Sequence, residues 1–566
     1  MNKKWMAYNK SMENLEFISK EFQLPEIIAR VMINRGIDTV PKARVFLNTG
    51  LNSLQDPYLL KGMEPAADRI LKAIRHKEKV CVYGDYDVDG ITSVSIMIKT
   101  LRKLGANAVY YIPNRIEEGY GLSFTSMDRI KELGVSLIVT VDCGIKSNEA
   151  VDYAKDLGME VIITDHHECE GELPNALCII NPHQPGCSYP FKDLAGVGVS
   201  FKLISALLDR AGDTAFAEEL LDIVSIGTIA DVVPLLGENR TIVKNGLMRI
   251  QNTDNQGLKA LLRVCGLKGK ELNAYNVAFM LAPRINAAGR IADASDCVEL
   301  LLTDSEEKAM ETAAKLDSDN KARQAIENEI LKGAEAIIEE TIDVDKDKVL
   351  VLCSGNWHIG VIGIVASRLV DRFHLPTFIM SCDGELSKGS ARSIPGFNIF
   401  EAMSKYSYLF ERYGGHEMAA GLTIRTERID ELREKMNGEV EKILGKDRLL
   451  PEIFVDYKLT PKDVTLDTVK RLKLLEPFGT GNTAPLFVYR ELSVTAFKAV
   501  GNDNKHLSLK VYDGVSEIKC IAYNFGNLRK ILQTGQKIDI ICSIENNIWN
   551  GIESVQLNIK DIRLIN

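Results

Sequence analysis

The stretch VCVYGDYDVDGITS carries three aspartates at alternate positions before Gly90, namely Asp85, Asp87 and Asp89. This D-x-D-x-D-G pattern is how a calcium-binding EF-hand loop begins. The twelfth position of such a loop requires a bidentate Glu, but Ile96 stands there, and the residues before Asp85 are patterned as a strand. Because adjacent carboxylates repel one another unless a cation lies between them, we predict that these acids bind a different metal.

Side chains with the same chemistry follow other apolar runs of the chain. SLIVTV is followed by Asp142, EVIIT by Asp165, His166 and His167, and IVSIGTIAD closes on Asp231. One acid after a strand is often only a helix N-cap. Together, however, these groups should meet along one edge of the sheet, because ligands of an open parallel sheet bind beyond the carboxyl ends of its strands.

The combination of carboxylate and imidazole side chains indicates which metals would bind and which reaction they would catalyse. Imidazole with carboxylate suits Mn or Zn, and a carboxylate-rich set with few imidazoles favours Mn or Mg. The cluster is larger than one ion needs. Two ions about 3.5–4 Å apart that share a carboxylate activate water and stabilise the leaving oxygen in phosphoryl transfer. We therefore predict a two-metal site that hydrolyses phosphoesters.

Length and composition indicate what kind of protein contains this site. A chain of 566 residues is too long for one core and should divide into three or four domains. Its 45% hydrophobic and 26% charged residues are typical of a globular protein, and we expect neither a signal peptide nor a membrane span. Eleven cysteines without a C-x-x-C pair argue against a disulfide framework and a structural zinc site, and predict buried thiols in a reducing cytoplasm. The net charge of −9 gives no support to nucleic-acid binding but is compatible with a local basic groove.

Short β-branched runs alternate with helical stretches from residue 79 onward, beginning with KVCVYG and ending with EVIITD. This alternation predicts βαβ units around a parallel sheet. A long charged helix follows at 305–340, and we interpret it as a connector between domains. A second α/β block starts at KVLVLCS. The tail from about residue 453 has around five strands separated by turn signals, for which an OB-fold barrel is the leading candidate.

The ordered series of motifs resembles the DHH phosphoesterase family, named for the triplet found here as Asp165-His166-His167. YGDYDVDGITS is similar to the family's first motif, VDCG to its second, TDHH to its third and GTIADVVPL to its fourth. Further similarities are LAPRINAAGRI, GNWHIGVIGIVASRL, KGSARS and, in the DHH-associated domain, YGGHEMAAG. LLEPFGTGN resembles the family's single-strand-specific exonucleases, and the resemblance covers about residue 40 to the end. The triplet is weak alone, but the ordered series is specific.

The resemblance implies a multidomain α/β protein with a C-terminal β-barrel. Its expected parts are an N-terminal helical segment (1–45), a parallel-sheet DHH catalytic domain (46–304), a connector helix (305–345), a second α/β domain of the DHHA1 type (346–450) and an OB-fold that binds nucleic acid (451–566).

The resemblance also implies roles at the predicted metal site. The catalytic ligands of two Mn²⁺ or Mg²⁺ ions would be Asp87, Asp89, Asp142, His166 and Asp231, with Asp142 bridging. His167 would face the scissile phosphate, and Asp165 would orient the histidines. We add Asp85 to the metal-binding set, although its own role stays open. Many relatives have a histidine where this chain has Tyr83, and its absence favours the exonuclease branch over the pyrophosphatase and small-oligonucleotide branches.

A second set of side chains has the chemistry to bind phosphate. Arginine offers a planar fork to phosphate oxygens, and glycines let a backbone approach them closely. Arg115 follows the strand NAVYYIP and should emerge at the same sheet edge as the aspartates, near a terminal phosphate. The other candidates, besides His167, are Arg284, Arg290, Ser390, Arg392 and the glycine-flanked His416. A lone arginine is more often part of a surface ion pair, so the resemblance carries this interpretation.

The activity implied by the resemblance is metal-dependent hydrolysis of single-stranded DNA from its 5′ end toward its 3′ end, in DNA repair and recombination. The implied partners are a single strand with a 5′ end, a single-strand-binding protein and a helicase. We expect a monomeric cytoplasmic protein without membrane contact, and an OB-fold whose aromatic residues stack bases, none of which we assign.

Two alternatives remain at this point. One is another DHH-type phosphodiesterase, acting on short oligonucleotides, cyclic dinucleotides or pyrophosphate. The other is a non-catalytic nucleic-acid-binding relative, against which the presence of every expected ligand argues.

Overall fold

The computed structural model describes residues 3–114, 118–119, 121–343, 346–445, 450–549 and 551–565, without the side chains of Ile291, Asp383 and Trp549. The chain divides into two compact units. The larger unit contains Trp5–Asn286, Asp293–Ala313 and Ile453–Asn566, and the smaller unit contains Met1–Lys4, Ala287–Ala292 and Ala314–Glu452.

The N-terminal segment is helical apart from one short strand that the sequence pattern did not predict. Its elements are β1 (Lys4–Ala7), α1 (Leu15–Glu21), α2 (Glu26–Asn34) and α3 (Val40–Leu47). Apolar residues of α2, such as Ile28 and Met32, are fully buried in one core with residues of the C-terminal tail, such as Phe487. At the end of α2 the Arg35 guanidinium forms two hydrogen bonds, of 2.7 and 2.9 Å, with the buried Asp456 carboxylate.

A five-stranded parallel sheet follows, with helices between its strands. Its elements are α4 (Met63–Arg75), β2 (Lys79–Gly84), α5 (Val88–Lys103), β3 (Asn107–Tyr111), α6 (Phe124–Glu132), β4 (Leu137–Val141), α7 (Asn148–Asp156), β5 (Glu160–Thr164) and β6 (Cys178–Ile180). The strand order is β3-β2-β4-β5-β6, which confirms the predicted parallel sheet. Gly84, Val141 and Thr164 share one register row at the carboxyl ends of β2, β4 and β5. The residues that come next therefore leave the sheet side by side.

Helices make up the rest of this part of the chain. They are α8 (Gly196–Ala211), α9 (Ala215–Glu219), α10 (Leu221–Ala230), α11 (Gly237–Gln251), α12 (Gln256–Val264), α13 (Ala274–Asn276), α14 (Ala282–Ile291) and α15 (Ser295–Leu302). The run IVSIGTIAD belongs to α10, which is buried over nearly its whole length. Asp231 thus follows the end of a helix, whereas the other candidate acids follow strands or stand at a helix start.

One π-helical turn, Val277–Leu281, separates α13 from α14. Pro283 has no N–H to donate to the preceding turn, and this loss favours a local change of hydrogen-bond pattern. Arg284 donates from Nη1 to the carbonyl of Met280 at 2.6 Å. The arginine thereby satisfies a backbone acceptor at the irregular turn.

The second α/β block contains one long helix and a mixed sheet. Its elements are α16 (Glu306–Thr341), β7 (Leu350–Ser354), α17 (Ile359–Phe373), β8 (Thr377–Asp383), β9 (Leu386–Arg392), α18 (Ile399–Lys405), β10 (Phe410–His416), β11 (Ala419–Arg425) and α19 (Ile429–Leu444). The sheet order is β10-β11-β9-β8-β7, and only β7 and β8 are parallel neighbours. The long helix and the second α/β block are confirmed.

The tail forms a closed barrel. Its elements are β12 (Glu452–Val455), β13 (Tyr457–Lys458), α20 (Leu466–Leu472), β14 (Phe487–Val500), β15 (His506–Tyr512), β16 (Glu517–Ala522), β17 (Lys537–Trp549) and β18 (Ile552–Leu564). The sheet runs β13-β14-β15-β16-β18-β17, and pairing of β14 with β17 closes it. This arrangement confirms the predicted OB-like barrel. Across the described residues, no helix combines the length and the apolar character needed to cross a membrane.

Candidate active site

The first motif lies at the junction of β2 and α5. Asp85 follows β2 directly, and its Oδ1 accepts a hydrogen bond from the Tyr86 amide at 2.8 Å. Asp87 caps α5 and accepts from the Gly90 amide at 3.0 Å. Asp89, in the first turn of α5, is almost fully buried. A strand precedes these acids, and Ile96 is buried within α5, so the loop is not an EF-hand.

The amino end of α8 holds Asp89. The amides of Gly196 and Val197 donate to its two carboxylate oxygens at 2.7 and 2.8 Å. A helix N-terminus favours a negative charge, so this contact orients the carboxylate in its ionised form. A Cβ on Gly196 would lie 2.4 Å from Oδ1 of Asp142, and only glycine therefore fits between these two acids.

Asp142 follows β4 with a left-handed backbone, at φ = +60°. This conformation is costly for a residue other than glycine and persists where the surrounding structure imposes it. The amide of Asp142 donates to the carbonyl of Thr164 on the neighbouring strand at 3.0 Å. The residue is thus fixed with its carboxylate beside the other acids.

The Asp165-His166-His167 triplet follows β5. The buried Asp165 carboxylate accepts from the amides of Ile145, His166 and His167 at 3.0, 2.8 and 3.1 Å. It also forms a 2.6 Å hydrogen bond with Nδ1 of His167. Asp165 therefore holds the turn and one of the two imidazole rings, that of His167.

Asp231 reaches this edge from the end of α10. A Cβ on Gly227 would lie 2.2 Å from Oγ1 of Thr92 and 3.0 Å from Oδ1 of Asp89. The bare glycine lets α10 approach α5 closely enough for Asp231 to join the cluster. Val232, the next residue, has φ = +66°, which turns the chain sharply after the acid.

Three carboxylates that are distant in the chain converge on one imidazole nitrogen. Nε2 of His166 lies 3.2 Å from Oδ1 of Asp142, 3.7 Å from Oδ2 of Asp231 and 4.0 Å from Oδ2 of Asp89. Among the described residues, the first three of these atoms are buried and lack any hydrogen-bond partner. Buried polar atoms without partners are costly, and a cation coordinated by them removes that cost.

The candidate ligands form overlapping groups. The ligand atoms within each group lie within 4.8 Å of one another. The groups are Asp89 with His166 and Asp231, Asp85 with Asp87 and Asp142, and Asp142 with His166 and His167. Asp142 and His166 each belong to two of them. The residues present therefore fit more than one metal ion, with oxygen donors in the majority as hard divalent cations prefer.

The electrostatics of the cluster fit the same interpretation. Burial and the charge of Asp87 raise the pKa of Asp89 to about 7, and burial and the charge of Asp89 raise the pKa of Asp231 to about 9. Burial and the same neighbouring charge raise the pKa of Asp142 well above its ordinary value. Burial in one shared volume disfavours the ionised forms of these acids, and bound cations would offset that cost and relieve their mutual repulsion.

The two histidines differ in their charge. Burial and the neighbouring charge of His167 lower the pKa of His166 to about 4, which leaves a neutral imidazole suited to a metal. Burial acts to lower the pKa of His167, but its hydrogen bond to Asp165 and that carboxylate's charge raise it overall. Burial acts to raise the pKa of Asp165, but His167 lowers it overall, so the pair is ionic.

A second polar cluster lies in the smaller unit, at the start of α17. A Cβ on Gly363 would lie 3.0 Å from Nη2 of Arg392 and 3.0 Å from Oγ of Ser390. Arg392 also donates from Nη1 to Oγ of Ser390 at 2.9 Å. Arg290 donates to the carbonyl of Gly360, one turn earlier in the same helix, at 3.1 Å. The structure therefore brings Arg290, Ser390 and Arg392 to the first turns of one helix.

His416 lies in the same sheet as Arg392. Arg392, Ala419 and His416 form one register row across β9, β11 and β10, so their side chains share a face. The adjacent row of that face contains Ser390, Gly421 and Gly414. A Cβ on either glycine would meet nothing within 4 Å. The histidine is exposed beside an open, glycine-lined strip of sheet.

The remaining phosphate-binding candidates are not part of this cluster. Arg284 belongs to the larger unit and bonds to its own helix at Met280. Arg115 lies outside the described residues. Among the aromatic residues of the barrel, Phe487 and Tyr489 are buried, whereas Tyr512 and Tyr523 are exposed by 44% and 52%.

Sequence reasoning missed two glycines that shape the site. Gly196 and Gly227 occur in the runs AGVGVS and SIGTIAD, and each stands where a side chain would collide with a candidate ligand or its neighbour. A glycine inside an otherwise apolar helical pattern is a signal of close packing, and that signal was present in both runs.

A parallel sheet with clustered acids and a D-H-H turn at its carboxyl edge, followed by a second α/β block, defines a phosphoesterase of the DHH class. Three family models match the chain in agreement with this class. They are the DHH family N-terminal domain at residues 79–228, the DHHA1 domain at 346–442 and the RecJ OB domain at 455–561.

Comparisons over the whole chain identify the family within this class. The chain is 40% identical over 560 residues to the single-stranded-DNA-specific exonuclease RecJ of Bacillus subtilis (strain 168), covering 99% of this chain and 70% of that protein. It is 34% identical over 561 residues to the Escherichia coli (strain K12) protein of the same name, covering 95% and 96%. The crystal structure of RecJ from Thermus thermophilus in complex with Mn²⁺ superposes with a TM-score of 0.84 at 29% identity, covering 99% of this chain and 79% of that one. A second structure of that protein, in complex with Mg²⁺, gives a TM-score of 0.79 at 28% identity, covering 99% and 78%. The chain belongs to the RecJ family.

Proposed function

We propose that this protein is a metal-dependent exonuclease that hydrolyses the phosphodiester bonds of single-stranded DNA from the 5′ end. The observation that carries the proposal is the convergence of Asp142 Oδ1 and Asp231 Oδ2 on His166 Nε2, all three buried without partners among the described residues. Membership in a family whose curated relatives are named for single-stranded-DNA-specific exonuclease activity supports it.

The proposed metal-binding residues are Asp85, Asp87, Asp89, Asp142, His166 and Asp231, and the cations are Mn²⁺ or Mg²⁺. RecJ of Thermus thermophilus has been crystallised with each of these ions. When bound, two such ions supply a nucleophilic water at neutral pH and stabilise the leaving oxygen of a phosphodiester. The protein contributes the fixed positions of their ligands, through α8, the Asp142 turn and the end of α10.

His167 is the proposed cationic group at the phosphate. Its ring is held by Asp165 at 2.6 Å, and its raised pKa favours the protonated form near neutral pH. A positioned imidazolium stabilises negative charge as it develops on a phosphoryl oxygen. Because Asp165 is anchored by three amides, the ring need not reorganise when the substrate binds.

The proposed phosphate-binding residues of the smaller unit are Arg290, Ser390, Arg392 and His416, to which we add Arg284 and Arg115 from the larger unit. The start of α17 supports the assignment, since a helix N-terminus with an adjacent arginine fork is suited to a phosphate. The barrel, with exposed Tyr512 and Tyr523, is the proposed strand-binding surface.

We assign catalysis to residues 46–304, phosphate binding to 346–450 beyond the connector 305–345, and strand binding to 451–566, with 1–45 as an N-terminal helical segment. We further propose that the protein is a monomer and acts in the cytoplasm, in DNA repair and recombination. The single strand would be delivered by a helicase and a single-strand-binding protein.

The test uses the full chain with single-stranded and duplex DNA labelled at either the 5′ or the 3′ end. With Mn²⁺ or Mg²⁺, the 5′ label should appear first as a mononucleotide from the single strand, and the duplex should stay intact. EDTA and the Asp89→Ala variant should each abolish release. Release of the 3′ label first, or equal cleavage of the duplex, would contradict the proposal.

A further inference from the structure

A cavity of about 420 Å³ lies in the larger unit between the N-terminal strand and the barrel. One wall is formed by the segment from Trp5 to Tyr8, with Lys10 and Met12, and the opposite wall by Val455 to Lys458 together with Val488 and Arg490 of β14. Arg30 and Asn34 of α2 also line it. A volume of this size is within the range of small-molecule sites, which run from about 300 to 1,000 Å³.

The cavity is strongly cationic in a chain whose net charge is −9. Four basic side chains line it, namely Lys10, Arg30, Lys458 and Arg490. In the part of the chain that the structure describes, none of the four forms an ion pair with a carboxylate, and Nε of Arg30 is buried without a hydrogen-bond partner. Such a concentration of unneutralised positive charge is a site for an anion.

The one acid in the lining does not offset this charge. Asp456 is 1% exposed at its side chain and receives two hydrogen bonds from Arg35, at 2.7 and 2.9 Å. Asn34 and the Leu486 amide donate to the same carboxylate at 3.1 and 3.0 Å. Asp456 is therefore neutralised by the contact between α2 and the barrel, and among the described residues the lining of the cavity contains no other acid.

Aromatic rings complete the lining, since Trp5, Tyr8 and Tyr457 all border the cavity. The Arg30 guanidinium lies over the Tyr457 ring at 5.5 Å from its centroid, which holds both groups in one orientation. Trp5 is fixed by a 2.6 Å hydrogen bond from Nε1 to Asp561. Flat rings beside guanidinium groups suit a ligand that has both a planar ring and a phosphate.

We propose that this cavity binds a nucleotide, with its phosphate at Arg30 and Arg490 and its base against Tyr457. The nucleotide is either a free 5′-monophosphate or one unit of a DNA strand, and the two share the chemistry that the lining recognises. The site is separate from the metal-binding cluster. For a unit of DNA the inference rests on the proposed strand-binding role of the barrel, and for a free monophosphate it goes beyond the proposed function. Its test measures binding without cleavage, so failure of one does not imply failure of the other.

The test measures binding of thymidine 5′-monophosphate, thymidine, inorganic phosphate and an oligo-dT strand to the full chain in EDTA. The cavity variant is Arg30→Gln with Arg490→Gln, and the matched control is Arg44→Gln with Arg529→Gln, which removes the same charge from the same unit outside the cavity. The single variant Arg490→Gln, at an exposed residue, covers the case in which the double variant does not fold.

For the cavity variant we expect at least about tenfold weaker binding of the monophosphate or of the strand, and for the strand a shallower dependence on salt, by roughly 0.7 in log–log slope per lost phosphate contact. Tyr457→Leu should weaken binding of the monophosphate more than binding of inorganic phosphate.

The outcomes distinguish the two ligands. Loss of monophosphate binding identifies a free nucleotide, and loss of strand binding alone identifies a unit of DNA. Unchanged binding of both probes, or an equal loss in the control variant, would overturn the proposal.

Discussion

Nε2 of His166 lies 3.2 Å from Oδ1 of Asp142, and both atoms are buried without a hydrogen-bond partner among the described residues. The two residues follow different strands of one parallel sheet, 24 positions apart in the chain. Their approach is a direct result of the common register at the carboxyl ends of β4 and β5. A divalent cation satisfies both atoms, and the first predictions concern its ligands.

Asp231→Asn should reduce nuclease activity and Mn²⁺ affinity by at least about 100-fold. A neutral amide cannot replace a negatively charged carboxylate as a ligand of divalent cations. Metal binding is measured by calorimetry and activity by release of mononucleotides. Asp222→Asn is the matched control, since Asp222 is a buried acid at the other end of α10 that bonds to Thr253. Equal losses in both variants would show that the effect is on folding and not on the metal.

Asp165→Asn should reduce activity by about 10–100-fold while leaving the strand-binding affinity unchanged. The amide cannot accept from three backbone N–H groups and also stabilise a protonated His167. The check is the activity of this variant together with the titration of His167 by NMR, whose pKa should fall toward the ordinary value. An unchanged histidine pKa would argue against the ionic pair.

Gly196→Ala should weaken Mn²⁺ binding by at least about tenfold and destabilise the protein by roughly 1–3 kcal/mol, because the new methyl group would lie 2.4 Å from Asp142 Oδ1. Gly198→Ala is its control in the same helix, where the nearest atom is the end of the Leu194 side chain at 3.2 Å. Calorimetry and urea unfolding measure the two quantities. If both variants bind metal like the parent, Gly196 is not required for placing the acids.

Arg392→Ala should raise KM for single-stranded DNA by about 10–100-fold with a smaller effect on kcat, because it removes a charge-assisted contact to phosphate. Arg412→Ala, at an exposed arginine of β10 in the same sheet, should leave KM near that of the parent. Steady-state kinetics with strands that carry or lack a 5′ phosphate provide the measurement. A fall in kcat with unchanged KM would contradict a role in phosphate binding.

Stability of the smaller unit should decrease in acid because of Glu439. Hydrogen bonds from Lys405 and Lys442 lower the pKa of this carboxyl from 4.5 to about 2. A group with a lowered folded-state pKa stabilises the protein above its unfolded-state value, and this contribution is lost as the pH falls from about 4.5 toward 2. The expected loss is roughly 1–2 kcal/mol after screening of the exposed lysines. Urea unfolding at pH 7 and pH 3 should show a smaller pH effect in Glu439→Gln than in the parent, whereas Glu434→Gln, at an exposed position of the same helix, should match the parent.

The sequence predicted the parallel sheet, the long helix, the second α/β block and the barrel, because each has a periodic or compositional pattern that is local in the chain. The short strand β1 has only four residues and no such pattern, so it was missed. Arg284 and Arg290 of LAPRINAAGRI were both predicted to bind phosphate, yet they belong to different units. Nothing in an unbroken helical pattern marks such a division.

By itself, the sequence determined that acids and histidines follow the strands of a buried parallel sheet, because apolar runs and the polar residues after them are local features. Parallel strands in register then require Asp85, Asp142 and Asp165 to leave the sheet together. Only the tertiary structure decided that Asp231 joins them from the end of a helix and that Asp89 is held by the start of α8. Those contacts depend on how closely whole helices approach, at Gly196 and Gly227, and helix packing is set by side chains distant in the chain.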